Sequence, residues 1–230
     1  ELTKHLLVAQ IEHQKIRYMH ENITFRWWHM AQAKTLNKTE LKQLLDVTNS
    51  CSRYPLRDST MLLFTHLCGL RVGEVAALRF DDVLDANDTV RDEMTLDAAR
   101  TKSKRARKIF LPKQMQRQLQ AYVRSVAKRP QHGYLFSTQK SARFSANTAT
   151  QHLQRLYARA GIADATSHSG RRTWLTTLSQ KGVSVFVLAD MAGHRSIQTT
   201  QRYVTVNDEM KRSAAELIWT TSIVPSSLRL

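Results

Sequence analysis

Apolar residues recur along most of this chain at intervals of three and four, the spacing of helices that bury one face. Leu7, Ile11, Tyr18 and Met19 fall on one such stripe and predict one or two helices over residues 3–30, followed by a polar connector from about Gln32 to Lys38. Asn37 followed three positions later by Glu40 marks a helix start, and Leu41, Leu44, Leu45 and Val47 form the buried face of that helix. Pro55 opens a second helix, apolar on several sides through Met61, Leu62, Leu63, Phe64 and Leu67, which is therefore expected to be central and to stop at Gly69. A helical turn over 71–78 leads into segments 78–84, 93–99 and 108–112 with strand character, which predict a small three-stranded antiparallel sheet. Helical spacing then returns over 113–128, 147–160, 169–180, 183–191, 196–204 and 208–219, with Gly161, Gly182 and Gly193 at C-terminal stops. The expected fold is mainly α (α+β), with a helical extension over 1–33, a principal domain over 34–220 and a loose tail over 221–230 that holds Pro225.

Composition narrows the class. A chain of 230 residues, 42% hydrophobic and 23% charged, can bury one good core, and this composition excludes a disordered polyelectrolyte. No apolar run approaches the length of a bilayer-spanning helix, and Lys4, His5, His13, Lys15 and Arg17 interrupt any secretory signal, so a soluble cytoplasmic protein is expected, nucleoid-associated if prokaryotic. Cys51 and Cys68 are the only cysteines, too few for a disulfide scaffold or a cysteine-built zinc site.

Charge points to the partner. Lys and Arg total 35 against 19 Asp and Glu, a net charge of +16, and a polyanion such as nucleic acid is the expected ligand. Between Asp97 and Asp164 no acidic residue interrupts fifteen Lys and Arg, whereas Asp81, Asp82, Asp85, Asp88, Asp92, Glu93 and Asp97 form an acidic stretch expected to face away from a phosphate backbone. Composition alone leaves a plain basic binder without an active site equally open.

Three clusters carry candidate chemistry. In Gly69-Leu-Arg-Val-Gly-Glu74, Arg71 stands at a helix start where backbone N–H groups and a guanidinium can meet one phosphate, and Glu74 at i+3 can orient it; alone, the pair equals a surface ion pair of little energy. His168 and Arg171 are three apart at the start of a helix whose apolar face is Trp174, Leu175 and Leu178, a pair able to bind an anion and exchange a proton with it, or simply basic residues at a cap. His194 and Tyr203, nine apart, would lie on opposite sides of an unbroken helix but can converge if the helix starts after His194, as Gly193 and Ser196 indicate. Tyr203 is then a candidate covalent nucleophile for phosphorus, although a lone tyrosine is more often a packing residue.

Taken together and in this order, these clusters resemble the tyrosine recombinase family of phage integrases, Xer-type resolvases and fimbrial invertases, over about residues 39–219. The resemblance implies that Arg71 and Arg171 grip the non-bridging oxygens of the scissile phosphate, that Glu74 supports Arg71, that His168 and His194 give hydrogen bonds and proton-transfer help, and that Tyr203 attacks. It also implies a lysine on a strand hairpin as general acid to the leaving 5′ oxygen; in Arg100-Thr-Lys-Ser-Lys-Arg-Ala-Arg-Lys108 this is Lys102 rather than Lys104, by its spacing to Arg107 and to Ile109-Phe-Leu-Pro112. Lys104, Arg105, Arg107, Lys108, Arg172 and Arg202 are expected DNA contacts, with Arg172 standing where many members have a second histidine.

The implied activity is site-specific recombination of double-stranded DNA through a 3′-phosphotyrosyl intermediate, with no cofactor, no metal and no ATP. The chain agrees in having no Gly-rich phosphate loop and no carboxylate cluster among its basic residues. A type IB topoisomerase-like relaxing enzyme and a non-catalytic DNA-binding regulator on the same scaffold are the alternatives. A monomer in solution and a homotetramer on two DNA sites are expected, with the 208–219 helix packing between protomers and accessory DNA-bending proteins as further partners. The short N-terminal extension fits either a minimal recombinase or a catalytic fragment carrying the end of a clamp domain, and the initial Glu1 favours a fragment or a processed chain.

Overall fold

Asn37 and Glu40 satisfy each other's free backbone donors: Asn37 Oδ1 accepts from the Glu40 N–H at 2.8 Å and Glu40 Oε2 from the Asn37 N–H at 3.0 Å. This box opens α1 (Lys38–Cys51), the first element of a computed structural model that describes residues 33–100, 105–126, 130, 132–204, 206 and 208–216. The chain divides after Ala33 into two units, and the second holds every element given below. The helices expected over 3–30, Lys102, Lys104 and the tail lie outside the described residues.

Pro55 supplies the pre-set first turn of α2 (Pro55–Leu67), along which Met61, Leu62 and Phe64 are fully buried. Each such side chain contributes roughly 1.5–3 kcal/mol by leaving water. The Phe64 ring meets the Phe136 ring edge-on at 6.1 Å. As its apolar sides require, α2 is central: it packs against α1, α5 (Lys113–Ser125) and α7 (Ser169–Gln180). It ends at Gly69, whose φ of +64° turns the chain and whose missing Cβ would lie 2.3 Å from a ring carbon of Trp174 on α7. Glycine there lets the segment leading to Arg71 lie directly on α7.

After α3 (Val72–Ala76) the structure corrects the expected three-stranded sheet. Residues 78–84 form an isolated bridge from Arg79 to Tyr134, the short helix α4 (Phe80–Val83) and a second bridge from Leu84 to Val90. The buried residues Phe80, Val83 and Leu84 have helical spacing, and the Asp82 carboxylate accepts from the Arg79 N–H at 2.8 Å, which favours a helix start over a strand. Among the described residues the sheet has two strands, β1 (Glu93–Leu96) and β2 (Arg107–Phe110), antiparallel with Met94 opposite Ile109.

The remaining helices are α6 (Ala146–Arg159), α8 (Val185–Ala192), α9 (Ile197–Gln201) and α10 (Asp208–Glu216). The helix expected to reach residue 128 stops at Ser125, whose hydroxyl donates to the Tyr122 carbonyl at 2.6 Å while Val126 turns extended. Ser184 caps α8, so that helix begins two residues later than its apolar pattern implied. A second, smaller core of Trp174, Leu175, Leu188 and Ala192 joins α7 to α8, and Tyr203 packs at its edge. Among the described residues no helix is long and apolar enough to cross a membrane.

Candidate active site

Arg71 occupies the position before α3, and Glu74, at the third helical residue, folds back to it. Glu74 Oε2 accepts from the Arg71 N–H at 2.8 Å and Oε1 from Arg71 Nη1 at 2.9 Å. From β2, Arg107 forks onto the same carboxylate, Nη1 to Oε1 at 2.9 Å and Nη2 to Oε2 at 2.7 Å. Burial alone would raise the Glu74 carboxyl, but the hydrogen bonds and charge of Arg107, joined by those of Arg71, outweigh it and hold the carboxyl below its ordinary range.

Arg171, one turn into α7, is 7% exposed and held by backbone oxygens: Nη1 donates to the Gly69 carbonyl at 2.5 Å and Nη2 to the Ala192 carbonyl at 2.6 Å. Burial and the neighbouring Arg71 push it down to about 9, which leaves it charged at neutral pH. Arg71 Nη2 lies 3.5 Å from the Gly193 carbonyl, so both arginines are tied to the turn that ends α8.

That turn needs Gly193, at φ +62°, and delivers His194 with Nε2 3.0 Å from Arg171 Nη2 and Nδ1 2.8 Å from Thr200 Oγ1. A guanidinium only donates, so Nε2 accepts, and the proton resides on Nδ1, which donates to Thr200. Burial, then the charges of Arg171, Arg71 and Arg107, lower His194 to about 4, and the ring is neutral at physiological pH. The break after His194 brings Tyr203 round: the two rings stack at 6.3 Å and 21°, and the Arg172 guanidinium stands 5.9 Å over the tyrosine ring.

The structure therefore gathers Arg71, Glu74, Arg171, His194 and Tyr203, with Arg172 beside them. His168 stands exposed at the residue before α7. Arg105 and Arg202 are exposed, and Lys108, also exposed, pairs across the hairpin with Glu93 at 2.7 Å. Arg107, expected as a DNA contact, is 7% exposed and engaged by Glu74. The period-two pattern of β2 carried this signal, since Arg107 and Ile109 share its inward face while Lys108 and Phe110 point out. Thr200, fully buried against His194, is a site residue that sequence reasoning left unassigned.

Comparison with known proteins adds a lineage to this geometry. The phage integrase family model matches residues 34–210. A tyrosine recombinase of Pseudothermotoga lettingae is 31% identical over 177 residues, covering 76% of this chain and 57% of the relative. The crystal structure of XerA recombinase superposes with a TM-score of 0.65 at 22% identity, over 83% of this chain and 66% of that one. The structure of XerH recombinase bound to palindromic difH substrate, a post-cleavage complex, gives a TM-score of 0.61 at 20% identity, over 80% of this chain and 52% of that one. The chain spans 50–62% of the length of curated relatives of this kind.

Proposed function

Because the chain belongs to the phage integrase family, we propose that it cleaves and rejoins double-stranded DNA at specific sites, with Tyr203 as the nucleophile. The carrying observation is the convergence of Arg71, Arg171 and His194 beside the Tyr203 ring, with Arg71 and Arg107 both bonded to the carboxylate of Glu74 and Arg171 bonded to His194. That arrangement keeps an excess of positive charge where a phosphate would develop negative charge, the part a metal ion plays elsewhere.

In the reaction the Tyr203 hydroxyl passes its proton to a histidine of the site, His168 or His194, its oxygen bonds to phosphorus, and the bond from phosphorus to the 5′ oxygen breaks. The 5′ oxygen leaves as a hydroxyl with a proton from Lys102, and the 3′ phosphate stays on the protein. The phosphotyrosyl bond conserves the energy of the broken diester, so a 5′ hydroxyl from a partner strand can reverse the step without ATP. Arg71 and Arg171 neutralise the non-bridging oxygens, and His168 assists from the start of α7. In the free protein the Nε2 lone pair of His194 is taken up by Arg171; as the phosphate draws the guanidinium, Nε2 becomes free to accept a proton.

The DNA held in the XerH structure supports a DNA substrate here. Assembly follows the same logic: a monomer in solution and a tetramer on two sites, with α10 and the residues after it packing between protomers and DNA-bending proteins as accessories. The test is covalent trapping. Incubated with nicked genomic fragments from the cell that carries it, the protein should yield a denaturation-resistant DNA adduct whose sequence reveals the site, and Tyr203→Phe should yield none while still binding. Adducts formed by that variant would show another nucleophile.

A further inference from the structure

Arg107 leaves a surface hairpin for the interior, where its side chain is 4% exposed against 22% for that of Arg71. Its two terminal nitrogens span both oxygens of Glu74, whereas the Arg71 side chain makes one bond to that carboxylate, at Oε1. A bidentate fork fixes the plane of a carboxylate; a single bond does not. Together with the Arg71 N–H on Oε2, the Arg107 fork therefore fixes the plane of Glu74, and the Arg71 guanidinium takes its orientation from it.

Arg107 also lies beneath the turn that presents His194. A Cβ at Gly193 would come within 3.0 Å of Arg107 Cδ and Nη1, and the Gly193 carbonyl faces Arg71 Nη2. One side chain thus touches the carboxylate that holds Arg71 and the turn that holds His194, while its backbone belongs to the strand that follows segment 101–104, which includes Lys102.

Stability does not account for this group. A buried ion pair roughly breaks even against apolar side chains of the same size, because desolvating two charges offsets their attraction. Here one further donor, Arg107 Nε, is buried with no partner among the described residues, an added cost. What the arrangement secures is a fixed direction for Glu74.

We infer that Arg107 is a positioning residue for strand cleavage: acting through Glu74, it holds the Arg71 guanidinium in the orientation that receives the scissile phosphate, and it ties that orientation to β2, the strand that follows Lys102 in sequence. The inference rests on the cleavage reading of the site. Arg107 itself does not meet the phosphate; its effect passes through Glu74 and Arg71.

A double-mutant cycle tests this, using nicked duplexes of the sequence recovered by trapping. Arg107→Gln should lower the cleavage rate at saturating DNA by roughly 10²-fold, the effect of a displaced catalytic group, with little change in Kd. In an Arg71→Ala background the same change should lower the rate no further, since nothing remains to be positioned. Arg107→Lys keeps the charge without the fork; it is the second variant if the first fails to fold, and should show the same dependence on Arg71. Effects that multiply in full in both backgrounds, or that match the changes in Kd or in melting temperature, would overturn the inference, as would wild-type cleavage by both variants. Absence of a Tyr203-dependent adduct from the wild-type protein is a different failure: it removes the cleavage reading, and this inference with it.

Discussion

At the scale of single residues, charge placement decides what the site can do. Arg171 is clamped by two carbonyls and sits against neutral His194, so removing it takes away both a cation and the group that holds the imidazole. Arg171→Ala should slow adduct formation by roughly 10²-fold or more, by analogy with loss of an oxyanion donor, while DNA binding persists in a gel-shift assay. Gly193→Ala would force a side chain into a left-handed residue and against Arg107. A loss of about 1–2 kcal/mol in urea unfolding is expected from the backbone alone, with a larger loss of cleavage as Arg107 shifts. Two histidines make a pH prediction. Burial lowers His66, beside the Tyr157 hydroxyl at 2.9 Å, from 6.5 to about 4, and His194 falls to the same level. Between these values the unfolded chain binds the protons that the folded one refuses, so stability is full above about pH 6.5 and falls as the pH drops toward 4, by at most about 1.4 kcal/mol per pH unit for each histidine. His66→Gln should flatten melting temperature against pH in that window; an unchanged slope would mean that His66 takes up its proton in the folded state.

Elements fold where local chemistry and burial agree. The Asn37–Glu40 box lies on an exposed helix start, so Asn37→Ala should cost about 1 kcal/mol in urea denaturation and leave cleavage untouched. Phe64 lies in the middle of α2 against Phe136, and Phe64→Ala should cost about 3–5 kcal/mol by the same measurement. Segment 78–84 shows the limit of local pattern: its residues suit a strand by composition, but Phe80, Val83 and Leu84 reach the core only from a helical turn. The hairpin is the element with two duties, since Lys108 pairs with Glu93 outside while Arg107 reaches Glu74 inside.

At the scale of the whole molecule, a net charge of +16 makes binding to a phosphate backbone steeply salt-dependent. On the proposed reading of Lys104 and Arg105 as phosphate contacts, Lys104→Ala or exposed Arg105→Ala should reduce the slope of log K against log salt by about one while leaving the cleavage rate at saturation intact. Assembly is a separate property. Deleting residues from Glu209 onward removes α10 and should abolish recombination and higher-order complexes on paired sites while single-site binding persists; unchanged complexes would place that helix on its own domain.

The chain by itself determined what depends on neighbours in sequence: the capped start at Asn37, the central position of α2, the turn at Gly69, the break after His194 and the basic excess between Asp97 and Asp164. The ordered clusters from Arg71 to Tyr203 were legible because each sits at a helix end, where short-range capping and spacing set side-chain direction. Tertiary structure decided what depends on residues far apart. It placed Arg107 inside rather than on the surface, 33 positions from the carboxylate it grips, and set the His194 tautomer through Arg171 and Thr200. The alternation along β2 points Arg107 inward, but neither its partner nor the tautomer could be read locally, because both depend on residues far away in sequence. Only the desolvated carboxylate of Glu74, within another element, makes the interior the lower-energy position of Arg107.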